Sequence, residues 1–356
     1  MPIADVRARI DAFLAGSLPL TGVDLYLLLE RASPLIELHT IIRPGPQNRT
    51  RSGLQQSYGD HNRLLLLGLD ALAGGDLEWY RGRLEREGEI SDAEFLDGFA
   101  AVRALGVTPP AKVALWLAAA LHDYGRLAGA GARIDVEDGV ELSRELLTAL
   151  CPEALAAVAT FVIRNHDYVK DVFFGEIPAA FIADQVEALP APSRHLAVAA
   201  LGLVQVAGAA SLGEGRLHRF RLEIFHRCLD GRVLADRSAG TRLARLLEPP
   251  RLDVPRAASR ECDALIDGHG PGLRRFLERV PLHGWHRSGL GSGASAHATI
   301  ERLGAVARGF DEEFADHDHV LVVPSADGRV DLAGCTSVEF RNGTRAMVVG
   351  SRPGAS

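Results

Sequence analysis

Along the first 250 residues, apolar positions recur at three- and four-residue spacing and stop at Gly, Pro and polar clusters, the pattern of successive amphipathic helices. Pro2–Leu14 and Val23–Arg31 are short helix candidates. The segment 40–58, TIIRPGPQNRTRSGLQQSY, mixes Pro, Gly, Asn and arginines and reads as a loop. Asp60 then reads as the N-cap of a helix through Leu72 carrying LLLLGLDAL. Ser91 and Glu94 form the capping pattern S-x-x-E for a helix to about Leu105. Pro109 and Pro110 precede a helix over Lys112–His122 that Gly125 terminates. Asp138–Leu150 follows, and Pro152 opens EALAAVATFVIRNH. Ser193–Leu212 is the most apolar helix, and Arg216–Leu229 is mixed.

The pattern changes near residue 249, where PPRLDVPR has no periodicity. Beyond it, Pro271–Val280 and Ala296–Phe310 read as helices, and Val320–Val323, Ser337–Phe340 and Ala346–Val349 as short strands. Asp327-Gly328 and Asn342-Gly343 are hairpin turn signals. The chain is therefore expected to be mainly α: an all-α domain over 1–248, a linker over 249–261 and a small α+β domain over 262–356. No repeat at solenoid spacing occurs.

Composition adds limits rather than a function. The 356 residues are 47% apolar with net charge −7, which suits a globular chain and argues against nucleic-acid binding by bulk charge. Lysine occurs only at Lys112 and Lys170, which reads as coding bias. Cys151, Cys228, Cys262 and Cys335 form no C-x-x-C pair, so no zinc-finger framework is expected, and a reducing, cytoplasmic compartment fits best. The N-terminus has no apolar run of a secretory signal. Leu196–Gly213 reaches the lower length of a membrane span, yet it is rich in Ala and Gly and contains Gln205 and Ser211. A buried central helix, not a membrane segment, is expected there.

Candidate chemistry stands at helix ends. His61 opens an apolar helix, the pair His122-Asp123 closes another in LAAALHDYGRL, and His166-Asp167 closes a third in VATFVIRNHDYVKD. Neutral imidazole and carboxylate are ligands for divalent transition metals. Adjacent residues within a helix diverge by about 100°, whereas a frayed end can turn both toward one centre.

This ordered text resembles the HD superfamily of metal-dependent phosphohydrolases, from about Asp60 to Leu217. The matching pieces are His61, HDYGR at His122–Arg126, GVELSRELL at Gly139–Leu147, IRNHD at Ile163–Asp167 and AGAAS at Ala207–Ser211. The resemblance implies an HD-type helical bundle and a divalent metal (Mn, Fe, Mg, Ni or Zn) held by His61, His122, Asp123 and His166. It also implies metal-assisted hydrolysis of a small phosphorylated substrate. Asp135 stands where two-metal members carry a further His. Asp123 would be both ligand and orienter of the attacking water, and Arg126 would meet the phosphate, with Arg164 and Lys170 as weaker candidates. One departure is sharp: where the family has its closing Asp, this chain has Gly208. Gln205 lies about one turn before Gly208 and Glu214 follows the helix, and either would replace the Asp only by facing the same cavity.

Other readings stay open. Loss of the closing Asp fits a catalytically degenerate domain that binds a ligand or partner, and a third reading is an HD-type di-iron oxygenase. The glycines of GLVQVAGAASLG also read as a close-packing device, which would account for Gly208 differently. His195 and His218 read as structural, Asp316-His317-Asp318-His319 as solvated loop, and GLGSGASAH at 289–297 as a flexible linker. The tail has three roles open: covering the cleft, forming a homodimer or recruiting a partner.

Overall fold

The structure, a computed structural model, describes residues 1–34, 36–37, 57–84, 100, 102, 107–127, 134–235, 238–247, 256–282, 296–313, 319–324, 336–339 and 345–351. Fifteen α-helices and three strands occur among them, so the chain is mainly α, as expected. The helices are α1 Ile3–Leu14, α2 Gly22–Ala32, α3 Tyr58–Gly74, α4 Glu78–Arg81, α5 Pro109–Leu121, α6 Ile134–Leu150, α7 Glu153–Asn165 and α8 Tyr168–Phe174. They continue as α9 Ala179–Ala188, α10 Ala191–Ser211, α11 Arg219–Leu229, α12 Ala239–Leu247, α13 Arg256–Gly268, α14 Pro271–Arg279 and α15 Ala296–Glu313.

Local chemistry shifts several boundaries. Ser57, not Asp60, caps α3: its hydroxyl accepts from the Asp60 amide, and the Asp60 carboxylate accepts from the Ser57 amide. The helix therefore starts one turn earlier than the apolar run suggests. Pro109 and Pro110 do not precede α5 but are its first two residues, where a missing N–H goes unmissed, and Thr108 caps it. The helix stops at Leu121, with His122 as its C-cap. The Ser91–Glu94 capping pattern falls outside the described residues.

The chain divides into two compact units, Met1–His166 with Val186–Arg232, and Asp167–Gln185 with Val233–Ser356. In the first unit α10 is central and packs on α3, α5, α7 and α11. It is also the one described helix long and apolar enough to cross a membrane, and 72% of its apolar window is buried inside the protein. That burial is what a core helix requires.

The second unit has its own core, built from Leu243 and Leu246 of α12, Ile266 of α13, Phe276 of α14 and Leu303 of α15. These boundaries differ from the expected 1–248 and 262–356: α12 belongs with the later helices. Residues 256–261 of the expected linker form the start of α13, while 248–255 lie outside the described residues. Arg242 is buried in this unit and donates to the carbonyls of Gly175, Glu176, Leu277 and Val280. Burial pulls its guanidinium down to about 9.

Three strands follow, β1 His319–Pro324, β2 Thr336–Glu339 and β3 Arg345–Ser351, with β3 antiparallel to both neighbours. The register pairs Val322 with Val348 and Val338 with Ala346. The Asp327-Gly328 and Asn342-Gly343 turn signals, residues 316–318 and the Gly-rich stretch 289–295 lie outside the described residues.

Candidate metal centre

Three helix ends of the first unit meet. His61 sits in the first turn of α3, fixed by the Ser57–Asp60 capping box. Its neighbour Asn62 is fully buried and donates from Nδ2 to the Ala120 carbonyl at 3.2 Å, tying the start of α3 to the end of α5. His122 and Asp123 follow α5 directly, and a 3-10 turn over Tyr124–Leu127 carries the chain away. That turn is held from two sides. The Tyr124 hydroxyl lies 3.2 Å from Ser33 Oγ. A Cβ on Gly139 of α6 would come within 3.0 Å of the Gly125 nitrogen, so the backbones approach closely only because residue 139 is glycine.

The ligand atoms of His61, His122 and Asp123 all lie within 4.8 Å of one another. Asp123 Oδ2 is 3.3 Å from His122 Nε2 and 3.9 Å from His61 Nε2. Two donors bound about 2.1 Å from one ion stand roughly 3–3.5 Å apart, close to these separations. The His61 and His122 rings are 5.4 Å apart. His166, the C-cap of α7, places its ring edge-on to His122 at 5.0 Å, beside the trio rather than within it.

Hydrogen-bond direction fixes which ring nitrogens face inward. His122 Nδ1 lies 2.8 Å from the Ala119 carbonyl, and His166 Nδ1 lies 2.7 Å from the Ile163 carbonyl. A carbonyl only accepts, so both Nδ1 atoms carry the proton. Each ring thereby satisfies a terminal carbonyl of its own helix, three residues back. His61 Nδ1 lies 2.8 Å from Ser211 Oγ, whose hydroxyl donates to the Gly208 carbonyl at 2.6 Å. The serine proton is committed there, so His61 Nδ1 donates to the serine. In the neutral imidazoles all three Nε2 atoms then present lone pairs.

The result is a cluster of acceptors. Two Nε2 lone pairs face a carboxylate that is 4% exposed. Acceptors held this close repel unless a cation or a proton lies between them, and a buried carboxylate calls for a countercharge. The donor set also matches metal-site practice: the outward imidazole nitrogen of each ligand is held by an oxygen acceptor.

The other sequence candidates divide. Arg126 lies in the turn after Asp123, and Asp135 is the second residue of α6, but their side chains lie outside the described ones. Gln205 does not stand in for the closing Asp: its amide donates to the His166 carbonyl and accepts from Arg221. Glu214 is exposed and neighbours Arg83. Asp167 falls in the other unit, as does Lys170. His195 is exposed and His218 is the N-cap of α11.

The close-packing reading of the glycines holds for Gly202, where a Cβ would stand 2.7 Å from the Cys228 Cβ. It does not hold for Gly208, where the nearest atom would be Leu65 Cδ1 at 3.7 Å. Asn62 has no signal in the sequence. Ser211 stands in it as the last residue of AGAAS, a piece of the family resemblance, with no partner assigned.

Comparison with protein-family models, with curated proteins and with solved structures finds no match.

Proposed function

We propose that His61, His122 and Asp123 hold a divalent metal ion and that the chain is an HD-type phosphohydrolase or phosphodiesterase acting on a nucleotide or another small phosphoester. The observation that carries this reading is the convergence of two Nε2 lone pairs and one buried carboxylate. Nitrogen donors with a single carboxylate favour a transition ion over Ca²⁺ or Mg²⁺. Three protein ligands leave open positions, the mark of a catalytic rather than a structural site.

His61 and His122 would hold the ion through Nε2, with Ser211 and the Ala119 carbonyl keeping those rings from turning. A divalent ion held there would supply Lewis acidity, bringing the pKa of water from about 15.7 to about 7 and polarising a phosphoryl oxygen. Asp123 supplies negative charge and accepts a hydrogen bond from the attacking water. In the hydrolysis, water oxygen bonds to phosphorus, the ester P–O bond breaks, and the leaving oxygen takes a proton. Arg126, three residues past Asp123, offers a fork suited to the phosphate. His166 buttresses His122, and Asp135 enters the proposal on the family pattern alone.

The second reading is the degenerate binding module, favoured by Gly208 at the position of the family's closing Asp. An HD-type di-iron oxygenase comes third, because the trio supplies ligands for one ion. Elemental analysis of the purified protein followed by a phosphoester panel separates them. One divalent ion per chain with phosphoester turnover supports the hydrolase. Two irons per chain without turnover support the di-iron oxygenase, and no metal supports the binding module.

For the C-terminal region we keep the small α+β module, supported by the pairing of β1, β2 and β3. The reading of a cytoplasmic protein rests on cysteine usage: the four cysteines are widely spaced with no C-x-x-C pair, and Cys151, Cys228 and Cys262 are buried.

A further inference from the structure

We propose that Gln205 is a positioning residue for His166 and that Arg221 sets the direction of its amide. Gln205 is buried in the middle of α10. Its Nε2 donates to the backbone carbonyl of His166, and its Oε1 accepts from Nη1 of Arg221 at the start of α11. A guanidinium only donates, so Arg221 can face only the amide oxygen. That choice points the amide N–H toward His166 and removes the flip ambiguity of a glutamine.

The carbonyl of His166 belongs to the terminal set that α7 cannot satisfy within itself. A side chain from a different helix takes it. His166 is thereby held twice: by its ring to the Ile163 carbonyl, and by its backbone to α10. Its ring stands edge-on to His122, so a shift of residue 166 reaches a ring of the candidate centre. Gln205 touches no reacting atom in this account and acts through His166. The metal readout below rests on the proposed metal site, while the ring readout does not.

The test uses the full chain with Gln205→Glu and Arg221→Met. The first keeps an acceptor for Arg221 but sets a carboxylate oxygen against the His166 carbonyl. The second removes the orienting guanidinium. Ring NMR of ¹⁵N-histidine-labelled, metal-free protein, assigned with His166→Asn, is expected to show the His166 signals displaced in both variants and those of exposed His195 unmoved. Co²⁺ titration followed by visible absorption is expected to show roughly tenfold weaker binding in Gln205→Glu with an altered ligand-field spectrum. Arg221→Met is expected to show a smaller change in the same sense.

Unmoved His166 signals in folded variants would overturn the inference. If circular dichroism shows that Gln205→Glu has lost its helices, Arg221→Met decides. If the wild type takes up no Co²⁺, the metal reading fails, and the ring spectra of the metal-free protein still decide the positioning role.

Discussion

Ser211 Oγ stands 2.8 Å from Nδ1 of His61, across 150 residues of chain. With its own proton directed to the Gly208 carbonyl, the serine holds His61 in the tautomer whose Nε2 faces Asp123. Replacing Ser211 by Ala removes that acceptor and lets the ring rotate. Metal affinity is expected to fall by about 10- to 100-fold, the usual consequence of losing an outer hydrogen-bond partner. Competition titration checks it, and an unchanged affinity in a folded variant would exclude the role.

His122 and Asp123 are expected to be indispensable together. The double change to Ala should abolish metal uptake and phosphoester hydrolysis while far-UV circular dichroism keeps its helical form. Both side chains lie beyond the last helical residue of α5, so the double change costs that helix one terminal hydrogen bond, from His122 Nδ1 to the Ala119 carbonyl, and leaves its apolar residues in place. Full activity in the double variant would show that the chemistry lies elsewhere.

The cluster of His61, His122 and Asp123 could be read from sequence because each stands where an apolar run begins or stops, and the run itself announces the helix end. Asn62 and Ser211 have partners that could not be read there. Each is a polar residue on a mostly apolar helix, and its partner is set by how two helices cross, which local pattern does not state. Asp60 was misplaced for a related reason: Ser57 and Asp60 form one reciprocal box, and the apolar run begins nearer the second member. The unit to which α12 belongs is not legible in the sequence, because its amphipathic face says that it is buried, not against which core.

Two glycines of α10, six residues apart, are expected to respond oppositely to Ala. At Gly202 the new Cβ would stand 2.7 Å from the Cys228 Cβ and 3.1 Å from the Phe225 carbonyl oxygen, so α10 and α11 must part. Overpacking of this kind destabilises by about 1–3 kcal/mol. At Gly208 the Cβ meets only Leu65 at 3.7 Å, and relief of the glycine penalty in a helix is expected to stabilise by about 0.5–1 kcal/mol. Urea midpoints of the two variants measure both signs. A destabilised Gly208→Ala would show that the seam between α3 and α10 has no such room.

Asp70 predicts a pH effect. Burial pushes its carboxyl above the ordinary range, partly offset by the bond from the Gly22 amide at 2.9 Å and by the Trp116 side chain. The folded chain therefore holds this proton more tightly than the unfolded chain. Between the unfolded pKa of about 3.9 and the higher folded value, stability from this group falls as pH rises, and above that window it is constant. Asp70→Asn removes the term, so its stability curve should lose that slope relative to wild type. Parallel curves through the acidic range would refute the assignment.

Gly208→Asp tests the alignment of α10 with the HD pattern and the metal site together. Gly208 lies one turn before Ser211 on α10, and its Cβ direction leads toward Leu65, one turn beyond His61 on α3. A Cβ there enters the seam between α3 and α10 at ordinary contact distance from Leu65. Asp is a better helix former than Gly, so the backbone is not penalised. A carboxylate at this half-buried position, if it approaches Asp123, adds like-charge repulsion, which destabilises the metal-free chain. A bound ion reverses that sign. The variant is therefore expected to melt below wild type without metal and to gain more from added metal, with affinity raised by about tenfold, or 1.4 kcal/mol. Gly208→Asn carries the same shape without the charge and should show neither effect in full. Identical metal titrations for Gly208→Asp and wild type would mean that residue 208 does not face the centre, and the family alignment of the last helix would have to be abandoned.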